Sequence, residues 1–530
     1  MIVNSYFLTL SVLILGASYL FRRLQRKQRR MGQELPMPDL KQASWIWGHQ
    51  FKIFQHDACE MYIEWAASLG PMYRIKAALF QPEIIIVGDN SAAHHILQNC
   101  YNYVKSPSFL GLLISHLGNS IVTVEGEEHK YQRRLLAPAF TSGAVEAMAD
   151  DIFSCVDKMI QDLRSALMDT DTGGTNGSIV VDVVPLMSAC TLDIIGRVGF
   201  GHDFEGGKST EAKAVISAWH QDVVKLQTFA GFMAPIFIHV FPWITRLPIP
   251  AFQDGVIKRI IHRLAGNLVS AYPNNTNVGN DILSLLLKGD QNTEDKLEPR
   301  FTTTELLDNI TTLLMAGHET VAITVDFILL HLAQNPTIQR KLQQEIRTMP
   351  SLDYNSIVGL EYLDAVVKEG LRLHPAAGVT ERVTLQDDVI PLKHAIHTES
   401  GEVVSSLAVK AGQVFQLPWV LFNVNKHVWG NNASEFIPER WIKPGGVPPL
   451  DELPRGPWGG VSSFSDGPRS CIGYRLGVLE PKIIIAVLVR SFEFERTEAK
   501  IFQRLSPSLQ PFADGKASSM PLKVSLIPEL

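Results

Sequence analysis

The run Phe464-Ser465-Asp466-Gly467-Pro468-Arg469-Ser470-Cys471-Ile472-Gly473 decides how this chain is read. It leads into an apolar stretch with helical character, Ile472 to Val489. A cysteine that enters a helix N-terminus meets backbone N–H groups and the positive end of the helix dipole, which together favour its thiolate. Gly467 and Gly473 let the backbone approach a flat group closely or take positive φ, and Pro468 stiffens the turn. Arg469 can reach a carboxylate, and Phe464 can cover the sulfur.

Upstream, Thr303 to Gln334 reads as the strongest helix, with Thr303 as its N-cap and Pro336 beyond its end. At 1.5 Å per residue it is roughly 45 Å long, enough to cross a domain. In its middle stands Ala316-Gly317-His318-Glu319-Thr320. A helix-interior glycine costs about 1 kcal/mol relative to alanine, so Gly317 needs a reason. With Ala316 it leaves the helix surface bare for a flat ring or a diatomic molecule. Thr320 can bond back to the preceding turn and loosen the helix, with Glu319 beside it as an acid–alcohol pair. A second helix, Glu361 to Leu373, ends at His374-Pro375 and puts Glu369 and Arg372 on one face. His129 and Arg133 share a face in the same way, at i and i+4. Pro71 to Asp89 reads as two strands, Val379 to Leu421 as short strands and irregular segments, and Phe492 to Ile527 as strand-rich. Helical periodicity dominates from Ser91 to about Ser165. Asp169 to Ser178, Tyr272 to Asn280 and Gly289 to Arg300 read as polar loops.

The chain has 530 residues, 46% of them hydrophobic, with mean hydropathy +0.07, so it can bury a large core. A net charge of −6 and a pI near 6.3 argue against nucleic acid as the main partner. Five scattered cysteines do not form a disulfide framework and point to a reducing compartment. Ile2 to Phe21 is uncharged and long enough to span a bilayer, and Arg22, Arg23, Arg26, Lys27, Arg29 and Arg30 follow it. That order is the reverse of a cleaved signal peptide; it predicts an anchor with the basic cluster on the cytoplasmic side. The expected organisation is an anchor over residues 1–21, a basic segment with the hinge Leu35-Pro36-Met37-Pro38 over 22–44, and one globular domain over 45–530.

The Cys471 run resembles the haem-binding loop of the cytochrome P-450 family of haem-thiolate monooxygenases, and the other motifs fall in the order that family requires. The resemblance implies a mainly α fold with small β-sheets (α+β), behind an N-terminal transmembrane helix. It implies haem b (iron protoporphyrin IX) with Cys471 as the axial thiolate, and Phe464, Gly473 and Ala316 against the ring. Glu319 and Thr320 are then the catalytic residues that relay protons to dioxygen. His129, Arg133, Arg382 and Arg469 would bind the haem propionates; His129 stands where the family has tryptophan, which implies a more pH-sensitive contact. Glu369, Arg372 and Arg440, the last in Phe436-Ile437-Pro438-Glu439-Arg440-Trp441, match a structural charged trio. The implied partners are O2, an apolar small-molecule substrate, NADPH-cytochrome P-450 reductase and the lipid of the endoplasmic reticulum membrane, with the catalytic domain on the cytoplasmic face. Trp45-Ile46-Trp47-Gly48-His49 is similar to fungal members, which often serve secondary metabolism, and suggests a terpenoid or similar substrate. Two other activities compete: a haem-thiolate isomerase or dehydratase acting on peroxides without O2, and a non-catalytic haem sensor. The Glu319-Thr320 pair argues against the first.

Overall fold

The computed structural model of the protein describes residues 35–171, 177–241, 255–271, 281–288, 301–506 and 508–527. The expected anchor, the basic cluster, the loops at 272–280 and 289–300 and residues 172–176 of the loop at 169–178 lie outside them.

Six helices carry the argument: α1 (Asn90–Gln98), α2 (Gly126–Leu136), α3 (Val183–Phe200), α4 (Thr303–Gln334), α5 (Glu361–Leu373) and α6 (Leu476–Ser491). The strands are β1 (Met72–Ile75), β2 (Ile84–Val87), β3 (Tyr103–Lys105), β4 (Ser178–Asp182), β5 (Val379–Thr384), β6 (Asp388–His397), β7 (Val403–Val409), β8 (Val414–Pro418), β9 (Phe492–Arg496), β10 (Ile501–Ser506), β11 (Ser508–Ala513), β12 (Lys516–Ala517) and β13 (Pro521–Leu526). They form a five-stranded sheet in the order β1-β2-β8-β5-β3, two three-stranded sheets (β10-β11-β12 and β4-β13-β9) and the hairpin β6-β7. In the large sheet only β2 and β8 run parallel; the other pairs are antiparallel. This is the α+β arrangement expected from the sequence, with helices forming the main core and the large sheet a smaller one around Ile85, Ile96, Phe415 and Leu417.

α4 starts where its chemistry dictates. Thr302, not Thr303, is the cap: its Oγ1 accepts from the Glu305 N–H at 3.3 Å, and Glu305 Oε2 accepts from the Thr302 N–H at 2.7 Å. This reciprocal pair satisfies two orphan donors of the first turn. α3 and α4 are long and apolar enough to cross a membrane, yet both are mostly buried, as core helices are. They touch at Gly317, where a Cβ would lie 2.8 Å from the side chain of Ile195. The bare surface at Gly317 therefore serves helix packing, a correction to the expectation that it clears room for a ring or a diatomic molecule.

α5 has the predicted bounds, and its inner face carries an ionic hub. Glu369 accepts from Arg372 Nε and Nη2 at 2.8 Å, and from Arg440 Nε, the Ile437 N–H and Trp441 Nε1 at 2.9 Å. Arg372 also donates to Asn423 O and Ala433 O at 2.6 Å, and its guanidinium lies 4.8 Å from the Trp429 ring centroid. Glu369 and Arg372 are completely buried and Arg440 nearly so. The meander after α5, which runs through the loop 443–460, is thus tied to a helix by side chains rather than by regular structure.

Nearby, His331 of α4 and His374 at the end of α5 meet Nε2 to Nε2 at 2.7 Å. His374 Nδ1 faces Gln503 Oε1 at 3.1 Å, so His374 donates through Nδ1 and accepts at Nε2. Both rings are neutral: burial, then the charge of Arg372, lowers His331 to about 4.

Two outcomes follow from this interior. Removing the acceptor with Glu369→Gln leaves two buried guanidiniums without a counter-charge and is expected to cost ~3–5 kcal/mol, read as a lowered melting midpoint and poor recovery of folded protein. Between pH 6.5 and about 4 the unfolded chain takes up a proton at His331 that the folded one refuses. Stability should therefore fall across that window as pH drops, by up to about 3 kcal/mol, and His331→Gln should flatten the fall in pH-dependent melting.

Candidate functional site

The Cys471 loop is built from tight turns. Ser465 (φ 60°) and Gly467 (φ 71°) both take left-handed conformations, and Gly467 has to be glycine, since a Cβ there would lie 2.4 Å from Leu97 O. The Cys471 N–H donates to Phe464 O at 2.9 Å, which turns the loop back on itself. Arg133 of α2 donates through Nη1 to Ser470 O at 2.7 Å. Phe464 is buried, and its ring lies close to Gly477 at the start of α6. Gly473 takes a negative φ and sits against Phe140.

α6 begins at Leu476, not at Ile472, with a turn over 472–475 in between. Cys471 is thus five residues ahead of the helix, and the helix dipole acts on it less than expected, because that effect fades beyond the first turn. Burial pushes the Cys471 thiol up, while the Gly473 N–H and the Arg133 charge pull it down more weakly. The loop alone does not make a thiolate; a coordinated metal ion would. Of the five cysteines, Cys471 alone keeps an exposed face, although protein crowds its sulfur.

Ala316 is exposed on a stretch of α4 whose neighbours Met315 and His318 are buried, so the helix borders an open space there. Thr320 Oγ1 donates to Ala316 O at 2.7 Å, the predicted back-bond. Glu319 is elsewhere. Its carboxylate is buried against β11, where it accepts from Gln510 Nε2 and, at 3.3 Å, from Ser508 Oγ. The structure does not join Glu319 to Thr320. Thr312, missed by the sequence reading, lies on the face of Ala316 and Thr320 at a spacing of four, with a buried hydroxyl that bonds no protein atom.

Four of the predicted binding residues converge. β3 pairs with β5 so that Lys105 is opposite Arg382. Arg382 donates to Thr380 Oγ1 at 2.7 Å, and Arg469 donates to Val124 O at 2.7 Å and to the Glu125 carboxylate. Burial and mutual repulsion lower Arg382 to about 10 and Lys105 to about 7. Lys105 was not a predicted site residue; only strand register brings it here. His129 accepts or donates through Nδ1 to the Tyr101 hydroxyl at 3.0 Å. Burial, with Arg469, Arg133 and Lys105 beside it, lowers His129 to about 3. Among these cations the ring is held neutral.

The test of fit for an anionic group is whether this cluster leaves donors unused. It does: the Nε–H groups of Arg382 and Arg469 are buried and bond no protein atom. Glu125 is the carboxylate that bonds Arg469, at a corner where Lys105 approaches it only to 3.9 Å. Buried cations with idle donors are costly unless an anion completes them. A haem carboxylate suits both donors, and an exposed cysteine two residues from Arg469 suits its iron.

This chain is matched over residues 38–510 by the family model described as cytochrome P-450. Among curated proteins, it is similar to the cytochrome P-450 monooxygenase claP of Ampulloclitocybe clavipes, with 30% identity over 92% of this chain and 91% of that protein. It is equally similar, at 30% identity, to monooxygenase 205 of Postia placenta (87% of this chain, 86% of the other) and to claO of Ampulloclitocybe clavipes (90% and 89%). Monooxygenases of this family use O2, a redox partner and a small-molecule substrate, with haem held by a cysteine thiolate. With the family model spanning residues 38–510 and relatives at 30% identity over 86% or more of both proteins, the chain belongs to the cytochrome P-450 family and is a haem-thiolate monooxygenase.

Proposed function

We propose that the protein inserts one oxygen atom from O2 into a neutral, apolar small molecule of terpenoid or similar size, with haem b as its prosthetic group. Cys471 is the iron ligand in this reading. His129, Arg133, Arg382, Arg469 and Lys105 hold the propionates, and Phe464, Gly473 and Ala316 lie against the ring. The observation that carries it is the pair of idle buried Nε–H groups on Arg382 and Arg469 beside the one cysteine with an open face. Haem ligated by a thiolate supplies electron density that favours cleavage of the O–O bond. The chain itself contributes position, exclusion of water and a proton path.

Thr320 moves the proton. Its Oγ1–H, bonded to Ala316 O, lies on the face of α4 where Ala316 is exposed. Glu319, the expected acid beside it, has its carboxylate bonded to Ser508 and Gln510 and would have to leave them to supply Thr320. Electrons come from NADPH-cytochrome P-450 reductase. Residues 1–21 anchor the chain as a single pass in the endoplasmic reticulum membrane, 22–44 form the basic segment and hinge, and 45–530 form the haem domain on the cytoplasmic face, in contact with lipid.

Three apolar segments support the substrate class: the helix Pro107–Leu117 with Phe109, Leu110 and Leu113, the turn Ala376 to Thr380, and β11 around Leu509. The last two are adjacent, since the Leu509 N–H donates to Ala376 O at 2.8 Å. Thr380 is engaged by Arg382, which leaves the Thr312 hydroxyl as the better group to orient a polar function of the substrate.

Turnover with reductase, NADPH and oxygen-18 should place one labelled atom in the product; label-free product formed from a peroxide without NADPH would support the isomerase reading. Thr320→Ala should bind haem normally and still consume NADPH, while at least half of the electrons appear as peroxide instead of product, which lowers coupling about twofold or more. Unchanged coupling in that variant removes the proton role and also revives the peroxide-rearranging alternative. In spectral titration a terpene hydrocarbon should bind more tightly than a fatty acid of similar size, because a carboxylate without a cationic partner is costly to bury. Tight binding of the acid, lost on esterification, contradicts the apolar assignment.

A further inference from the structure

We infer that α1 positions the iron-ligating loop through a side-chain relay, Arg455 to His94 to Asp466, and that His94 and Asp466 are positioning residues for Cys471. The inference rests on the reading of Cys471 as ligand and says what holds it.

Asp466 opens the turn that leads to Cys471, and its carboxylate gathers donors from two elements. Oδ2 faces His94 Nδ1 at 2.6 Å, and Oδ1 accepts from Gln98 Nε2 at 3.3 Å and from the Gly467 N–H at 2.6 Å. On the other side of the imidazole, Arg455 Nη1 faces His94 Nε2 at 3.3 Å. A guanidinium only donates and a carboxylate only accepts. The pair of contacts is satisfied by the tautomer that donates through Nδ1 to Asp466 and accepts at Nε2 from Arg455. The relay has one direction, and every member is matched.

α1 is itself fixed. Asp89 caps its first turn, accepting from the Ala92 N–H at 2.9 Å, and also accepts from the Lys393 N–H at 2.9 and 3.0 Å. Its last turn touches the loop directly, where Leu97 O excludes any side chain at Gly467. The loop is thus gripped from two sides, by α1 at Asp466 and by α2 at Ser470 through Arg133. Beyond α1 the chain passes through Tyr101 to β3 and Lys105, so one helix sets both the cysteine turn and part of the cation cluster. Loss of the relay leaves Asp466 held to α1 only by the longer 3.3 Å bond from Gln98, so the turn before Cys471 loses its shortest side-chain support while Arg133 stays on Ser470.

The test compares His94→Gln, which keeps an N–H donor, with His94→Leu, which fills the volume without one. The reduced carbon-monoxide complex of the full-length protein reports thiolate ligation by a strongly red-shifted Soret band. Hydrogen exchange over 464–473 in the full-length haem-loaded protein reports the loop without reference to turnover. His94→Leu should lose the shifted band roughly five- to tenfold faster than the parent at equal temperature, the size of one charge-assisted hydrogen bond, and should exchange faster over 464–473. His94→Gln should stay near the parent in both. Asp466→Ala should reproduce His94→Leu, and the two changes together should add nothing further. Equal behaviour of His94→Leu and His94→Gln, or full additivity with Asp466→Ala, overturns the relay. A parent protein that shows no shifted band would instead overturn Cys471 as ligand, leaving the exchange result to judge the brace.

Discussion

The fold depends on one carboxylate. Glu369 is fully buried and satisfied by five donors from α5 and the segment 437–441. A buried ion pair of this kind is a poor source of net stability, because desolvation takes back most of the attraction. Its value is in geometry. The segment from 430 to 475, between the large sheet and α6, has little regular structure beyond short helical turns, and the loop that carries Cys471 lies at its far end. The hub fixes the start of this Pro- and Gly-rich path, and Ser462 and Ser463, bonded to Asn423, Trp419 and Leu371, fix it again before the loop. Arg372 extends the same grip to the carbonyls of Asn423, Ala433 and Glu435, which gives the meander three further fixed points.

The site uses a second device, charge left deliberately unbalanced. Lys105, Arg382 and Arg469 crowd together under burial, and the lowered pKa values of Lys105 and Arg382 report that crowding. Such a cluster is unfavourable in an empty protein and becomes favourable when an anion joins it. The thiol of Cys471 behaves in the same way: burial pushes it up, and a metal ion would reverse the sign. Both halves of the site are organised for a group that brings its own charges, negative at the carboxylates and positive at the metal. His129 fits this account as a neutral spacer among cations rather than as a titrating partner.

Much of this was legible in the sequence because the motifs are local. The bounds of α5, the i, i+3 pairing of Glu369 with Arg372, the turn at Gly467 and the back-bond of Thr320 each depend on residues a few positions apart. What escaped depends on long-range placement. Lys105 looks like any strand lysine until antiparallel register puts it opposite Arg382. Glu319 reads as the partner of Thr320 until β11, nearly two hundred residues on, offers its carboxylate two donors. Gly317 reads as clearance for a ligand until Ile195 arrives from α3. The start of α6 was misplaced because apolar periodicity continues through 472–475, while hydrogen bonding leaves those residues in a turn. Thr312 could have been found from its spacing of four to Ala316 and Thr320.

The central claim is that Cys471 alone ligates the iron. Reduction of the purified protein under carbon monoxide measures it directly. The account expects a strongly red-shifted Soret band from the parent and its complete loss in Cys471→Ser, with the other four cysteines intact. Retention of that band in Cys471→Ser would contradict it.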